Sequence, residues 1–244
     1  MSLAEVSTQL KLPKSSALTL LRALVEAEFC AVDSKGGYAL GLHSFEVGAA
    51  YLRAMTPVRS VMPELQWLTE SLGVTSHFAV LEHDEVIYLA KHDPPGLGLK
   101  LASSLGARLP AAVTAVGKAQ LAFRAAGPPG LEDDPPGLED ELVGVRRLGY
   151  AIDDGQTAMG IRCIAAPLFN DNACCGALGV SYLLGGVPAV ETVVDALLEA
   201  AGRASDRLGG RFALASPAPG PASTGARTRA AAEGPAPGRR AGRP

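Results

Sequence analysis

The 244 residues carry a formal net charge of −3, 48% hydrophobic residues and four cysteines, a length that fits one large or two small domains with a sizeable core. No run of about 18 apolar residues is present to span a bilayer, and the N-terminus lacks the charged-then-apolar pattern of a secretory leader, so membrane and export readings are set aside and the chain is placed in the cytoplasm. Cys30, Cys163, Cys174 and Cys175 form no C-x-x-C pair and have no His at zinc-ligand spacing, so neither a metal nor another cofactor is expected.

Residues 1–42 read as a winged helix-turn-helix, an element that docks on double-stranded DNA. Ser2-Leu3-Ala4-Glu5 has the spacing of a capping box and starts a helix with Leu3, Val6 and Leu10 on one face. Leu12-Pro13 turns the chain, and a second helix opens at Pro13-Lys14-Ser15-Ser16, with Ala17, Leu20, Leu21, Leu24 and Val25 at helical spacing. Its opposite face carries Lys14, Ser15, Ser16, Thr19 and Arg22, short polar groups and cations suited to phosphates and base edges. Cys30-Ala31-Val32 and Tyr38-Ala39-Leu40 form the arms of a hairpin, with Lys35 and Gly36 at its tip as further DNA contacts. Residues 1–53 balance five cations (Lys11, Lys14, Arg22, Lys35, Arg53) against five acids (Glu5, Glu26, Glu28, Asp33, Glu46). The phosphate footprint of one copy is therefore weak, and two copies would double it.

Residues 43–56 read as a linker helix that ends at Thr56-Pro57. Val61, Leu65, Leu68 and Leu72 then mark a helix closed by Gly73. Strands follow at 75–81, 86–91 and 97–101, then a helix over 114–123, a Pro-, Gly- and acid-rich break at 127–136, and a helix over 138–148. Strands over 150–152, 161–169 and 175–183 and a closing amphipathic helix over 190–212 complete an α+β unit spanning 57–213. Its helices are expected on one face of the sheet, leaving the other face or one end free to shape a pocket. Residues 214–244 hold Pro, Ala, Gly and five arginines without apolar periodicity and are expected to be disordered, either as a cationic arm or as a solvated tail.

Several motifs, in this order, resemble the IclR-type bacterial transcription regulators over about residues 1–212. They are Leu12-Pro13-Lys14-Ser15-Ser16 with Leu20-Leu21, Tyr38-Ala39-Leu40-Gly41, Leu109-Pro110 followed by Thr114-Ala115-Val116-Gly117-Lys118-Ala119, and Gly160-Ile161-Arg162-Cys163-Ile164-Ala165-Ala166-Pro167. The resemblance implies a GAF-like effector-binding domain for a small organic acid, with homodimers through the DNA-binding region and often homotetramers through the effector domains. It implies no enzyme activity. Carried over position by position, it implies a pocket lined by Leu109, Ala115, Val116, Asp153, Cys163, Gly179 and Ser181. Ala115 and Val116 fall at a helix start, where backbone amides favour an anion, Ser181 can donate, and Asp153 when ionised only accepts.

Three departures accompany the resemblance. The family's first DNA-binding helix has no counterpart ahead of Ser2, which places the expected natural start upstream; the alternative is a small-molecule sensor that has lost DNA binding. Leu18 and Thr19 stand where the family often has a cation, and Asp153-Asp154-Gly155-Gln156 replaces a longer acidic run. Cys163 reads equally as pocket wall or core thiol, and Trp67 as interface anchor or partly buried side chain. Surface or edge positions are expected for His77, His83 and His92.

Overall fold

The computed structural model describes residues 1–96, 103–124, 134–171, 173–185 and 188–211. The expected strand at 97–101, most of the 127–136 break, Phe212 and the C-terminal tail lie outside these residues; the closing helix, expected over 190–212, ends at Arg207, and Gly209 beyond it stands at φ +76°.

Helices α1 (Leu3–Gln9) and α2 (Lys14–Glu26) precede a hairpin of β1 (Cys30–Val32) and β2 (Tyr38–Leu40). The capping box at Ser2 forms as the sequence predicts: Ser2 Oγ accepts from the Glu5 amide at 3.3 Å and the Glu5 carboxylate accepts from the Ser2 amide at 2.6 Å. In α2 only Ala17 and Leu21 are buried. Leu20 and Leu24, which share the apolar spacing, remain 52% and 42% exposed. The hairpin turn is organised by Asp33, whose Oδ1 accepts from the Lys35 and Gly37 amides at 2.8 Å each, and by Gly36 at φ +80°, a left-handed conformation open to glycine.

Helix α3 (Leu42–Ala54) ends one residue before α4 (Thr56–Leu72) begins. Thr56-Pro57 thus opens α4, because proline is tolerated in a helix's first turn, where its missing amide leaves no bond unmade. Gly73 caps α4 at φ +67°. The remaining elements are β3 (Thr75–Glu82), β4 (Glu85–His92), β5 (Arg108–Pro110), α5 (Ala115–Leu121), α6 (Leu138–Leu148), β6 (Ala151–Asp154), β7 (Ile161–Asn170), β8 (Ala173–Leu183) and α7 (Val190–Arg207).

The six strands from β3 to β8 form one antiparallel sheet in the order β5-β4-β3-β8-β7-β6. Its two faces carry separate cores. On one, Val61, Leu65 and Leu68 of α4 and Val193, Leu197, Ala200, Ala201 and Ala204 of α7 meet Phe78, Ile164, Leu168, Leu178 and Val180. On the other, Ala115, Val116 and Ala119 of α5 and Leu142 and Val145 of α6 meet Ala79, Val86, Ala165 and Ala177. The expectation of helices on one face is therefore corrected. The central strands alternate Ile164 with Ala165 and Leu178 with Ala177, so both sides are apolar and both must be covered. The small residues on the α5 side let that helix approach closely and leave a cavity beside its N-terminal end.

Candidate functional site

The cavity lies between β3, β4, β7, β8 and the start of α5, and the turn after β6 closes it through Thr157 and Ala158. Six of the seven positions implied by resemblance converge on it: Leu109 from β5, Ala115 and Val116 from α5, Asp153 from β6, Cys163 from β7 and Ser181 from β8. Gly179 stands behind the wall. A Cβ there would lie 2.2 Å from His77 Cε1, so the bare backbone of Gly179 is what seats the His77 ring.

His77, Tyr88, Ser103, Thr114 and Thr157 also line the cavity, and sequence reading missed all five. His77 sits on the strand that alternates with the buried Phe78, so its neighbours were legible; that its face is enclosed was not. It is 1% exposed, which corrects the expectation of a surface or edge histidine. Burial, and after it the charge of Lys91, pushes its pKa down to about 4, so the ring is neutral at ordinary pH. His77 Nε2 lies 3.0 Å from Ser181 Oγ, which lies 3.0 Å from Cys163 Sγ, while His77 Nδ1 and Ser103 Oγ are buried without partners. Burial likewise raises the Cys163 thiol to about 11 and lifts the Tyr88 hydroxyl well above its ordinary value. The group thus presents neutral donors and acceptors.

Asp153 is 1% exposed, and its Oδ1 accepts from the Gln156 and Thr157 amides at 2.7 and 3.3 Å. That fixes the turn closing the cavity. Gln156 Oε1 accepts in turn from Lys118 Nζ at 2.8 Å, and the same buried ammonium donates to Glu141 of α6 at 2.8 Å. Ser181, His77 and Asp153 resemble a hydrolytic triad in composition only. In a triad the third group holds the imidazole through Nδ1, whereas here Nδ1 is unpartnered and Asp153 is committed to backbone amides. With a protonated Cys163, nothing here forms an activated nucleophile.

The cavity has a volume of about 20 Å³. The cavity as it stands takes about one water, and anything larger has to displace a wall.

At the other end of the chain, Lys14, Ser15, Ser16, Thr19, Arg22, Lys35 and Gly36 are all exposed. The Thr19 hydroxyl donates to Ser15 O at 3.1 Å, so its donor is engaged along the helix. Trp67 is half-buried on α4 with the Arg203 guanidinium 4.3 Å over its ring. Among the described residues no group of three or more His, Cys, Asp or Glu is placed to hold a metal, and no helix is long and apolar enough to cross a membrane.

The family model for the C-terminal region of the bacterial transcriptional regulator IclR matches residues 49–127 and 132–207. The transcriptional repressor IclR of Escherichia coli (strain K12) is 30% identical over 195 residues, covering 70% of this chain and 68% of the repressor. An IclR transcriptional regulator from Alicyclobacillus acidocaldarius superposes with a TM-score of 0.74 at 28% identity, over 85% of this chain and 90% of that one. An IclR homologue from Microbacterium hydrocarbonoxydans, complexed with 4-hydroxybenzoate, shares the fold with a TM-score of 0.72 at 24% identity, over 85% and 91% of the two chains. The folded core of this chain, with its two-faced sheet and cavity, belongs to the IclR family of bacterial transcriptional regulators, a family that regulates transcription and carries out no enzymatic reaction.

Proposed function

We propose that this chain binds operator DNA through a winged helix-turn-helix at residues 1–42 and that a small organic effector, a carboxylic or aromatic acid, tunes that affinity from a GAF-like domain at 57–213. The observation that carries this reading is the convergence of Leu109, Ala115, Val116, Asp153, Cys163 and Ser181 on one cavity, in a chain whose α2 presents its polar face to solvent. The 4-hydroxybenzoate held by the Microbacterium homologue supports the effector class. The tight cavity fits a population shift: the ligand binds an opened arrangement better and draws the protein toward it. Lys14, Ser15, Ser16, Thr19 and Arg22 would face the major groove, with Lys35 and Gly36 on the flanking phosphates. A homodimer or homotetramer would present two such surfaces to one operator.

The test is a mobility shift on the intergenic DNA flanking the gene, with Arg22→Ala as the weakened control. A salt-sensitive shift is expected, and none at low salt overturns the DNA-binding reading. Thermal unfolding against 4-hydroxybenzoate and related acids tests the effector. At about a hundred times Kd a ligand adds roughly 2.7 kcal/mol of stability, and flat melting curves across the series overturn this half of the reading.

A further inference from the structure

Tyr88 has a position that no other wall residue described above shares. Its ring lines the cavity, edge-on to His77 with centroids 5.2 Å apart. Tyr88 also lines a groove of about 370 Å³ in which β4 and the turn at Leu105 and Gly106 face Phe45, Gly48, Tyr51 and Leu52 of α3.

The backbone accounts for this placement. Val86 and Tyr88 alternate onto the α5 face of the sheet, yet Ala90 belongs to the core on the α4 and α7 face. The switch occurs because Phe78 pairs with Ala90 while Ala79 pairs with Tyr88, leaving Leu89 as an extra residue, a β-bulge that re-aims the side chains around it. Beyond Ile87 the outer edge of β4 no longer pairs with β5. It is held instead by the Tyr88 amide donating to Ala107 O at 3.2 Å and the Gly106 amide donating to Tyr88 O at 2.8 Å. The same short turn puts Ser103, whose hydroxyl is buried and unpartnered, into the cavity and Leu105 into the groove.

A cavity with room for about one water admits a larger ligand only if a wall moves, and a wall moves most easily where empty space lies behind it. Asp153 is tied to its turn, and Cys163 and Ser181 stand on the paired strands β7 and β8. Tyr88 alone among them also borders the groove.

We propose that Tyr88 is the positioning residue that couples the cavity to α3: displacing its ring from the cavity side presses it into the groove and shifts the linker helix, and moving α3 reshapes the cavity. The regulatory meaning of this coupling rests on the function proposed above, but its physical test needs neither DNA nor effector.

Gly48 faces the groove with no atom within 4 Å of where a Cβ would stand, so Gly48→Leu fills the groove from the α3 side. The readout on the far side is the alkylation rate of Cys163, resolved from the other cysteines by peptide mass spectrometry. Gly48→Leu is expected to change that rate by roughly threefold to tenfold, in line with coupling changes carried by networks of packed side chains. The same change should persist with Tyr88→Phe, which keeps the ring, and collapse with Tyr88→Leu, which keeps apolar volume in the core but loses the reach into the groove. Hydrogen exchange over residues 42–54 reads the reverse direction, with Ser181→Phe narrowing the cavity. That substitution should alter exchange in the parent background and in the Tyr88→Phe background, and leave it unchanged in the Tyr88→Leu background. An unchanged Cys163 rate in Gly48→Leu overturns the proposal, as does an equal response with and without the Tyr88 ring. A chain that passes this test but shifts no DNA would keep the coupling and lose the regulator reading.

Discussion

Gly179 and His77 form a lock in which one residue's missing side chain makes room for the other's ring. A Cβ at 179 would lie 2.2 Å from His77 Cε1 and 2.9 Å from Val116 Cγ1, and neither neighbour is at a free end. Gly179→Ala is expected to cost about 1–3 kcal/mol, the usual range for overpacking, read from chemical denaturation at constant slope. His77 itself makes the fold sensitive to acid. Its folded pKa of about 4 lies below the ordinary 6.5, so the neutral form is the one the fold retains. The stability it contributes is fully present above pH 6.5 and is lost as pH falls toward about 4, up to roughly 3 kcal/mol at the lower end. Thermal unfolding of the parent should therefore drop more steeply between pH 6.5 and pH 5 than that of His77→Gln. Parallel curves would show that folding does not depress the His77 pKa.

At the scale of elements, α4 and α7 are clasped through Glu64. This carboxylate is 4% exposed and accepts from Arg203 at 2.5 and 2.9 Å and from Arg207 at 2.5 Å. Arg203 also pairs with Glu199 and covers the Trp67 ring, which places Trp67 at an internal helix contact. Burial alone would raise the Glu64 pKa, but the hydrogen bonds from the two guanidiniums outweigh it and hold it below the ordinary 4.5. Its contribution is present above that value and fades as pH falls through the lower, folded one. Removing one partner from a fully buried pair costs about 3–5 kcal/mol. The two arginine side chains are 36% and 41% exposed and can rehydrate, so Glu64→Ala should cost less, about 1–2 kcal/mol. Thermal unfolding checks it, and Arg203→Ala should also remove the cover over Trp67, visible as a red shift in its fluorescence.

For the molecule as a whole, the DNA surface proposed above has few charges to offer, since residues 1–53 carry five cations and five acids. The logarithm of affinity against the logarithm of salt concentration should therefore have a shallow slope, and Lys14→Ala or Arg22→Ala should reduce it by about one for each phosphate left without its cation. An unchanged slope in both would remove the α2 face from the phosphate-binding surface. What the sequence alone determined is local. The Ser2 to Glu5 cap, the Pro13 turn into α2, the Leu138 to Leu148 helix and the strand runs at 161–169 and 175–183 could be read because caps, prolines and short apolar runs act within a few residues. The family resemblance supplied seven positions, six of which the fold places around one cavity. Only tertiary structure decided that both sheet faces are covered, that His77 is enclosed, and that Tyr88 lies between cavity and linker. Each of these depends on partners far along the chain, such as Gly179 and Val116 beneath His77, and on a one-residue bulge at Leu89 that no local propensity encodes. A strand's period states which residues share a face, but the pairing with distant strands decides what that face meets.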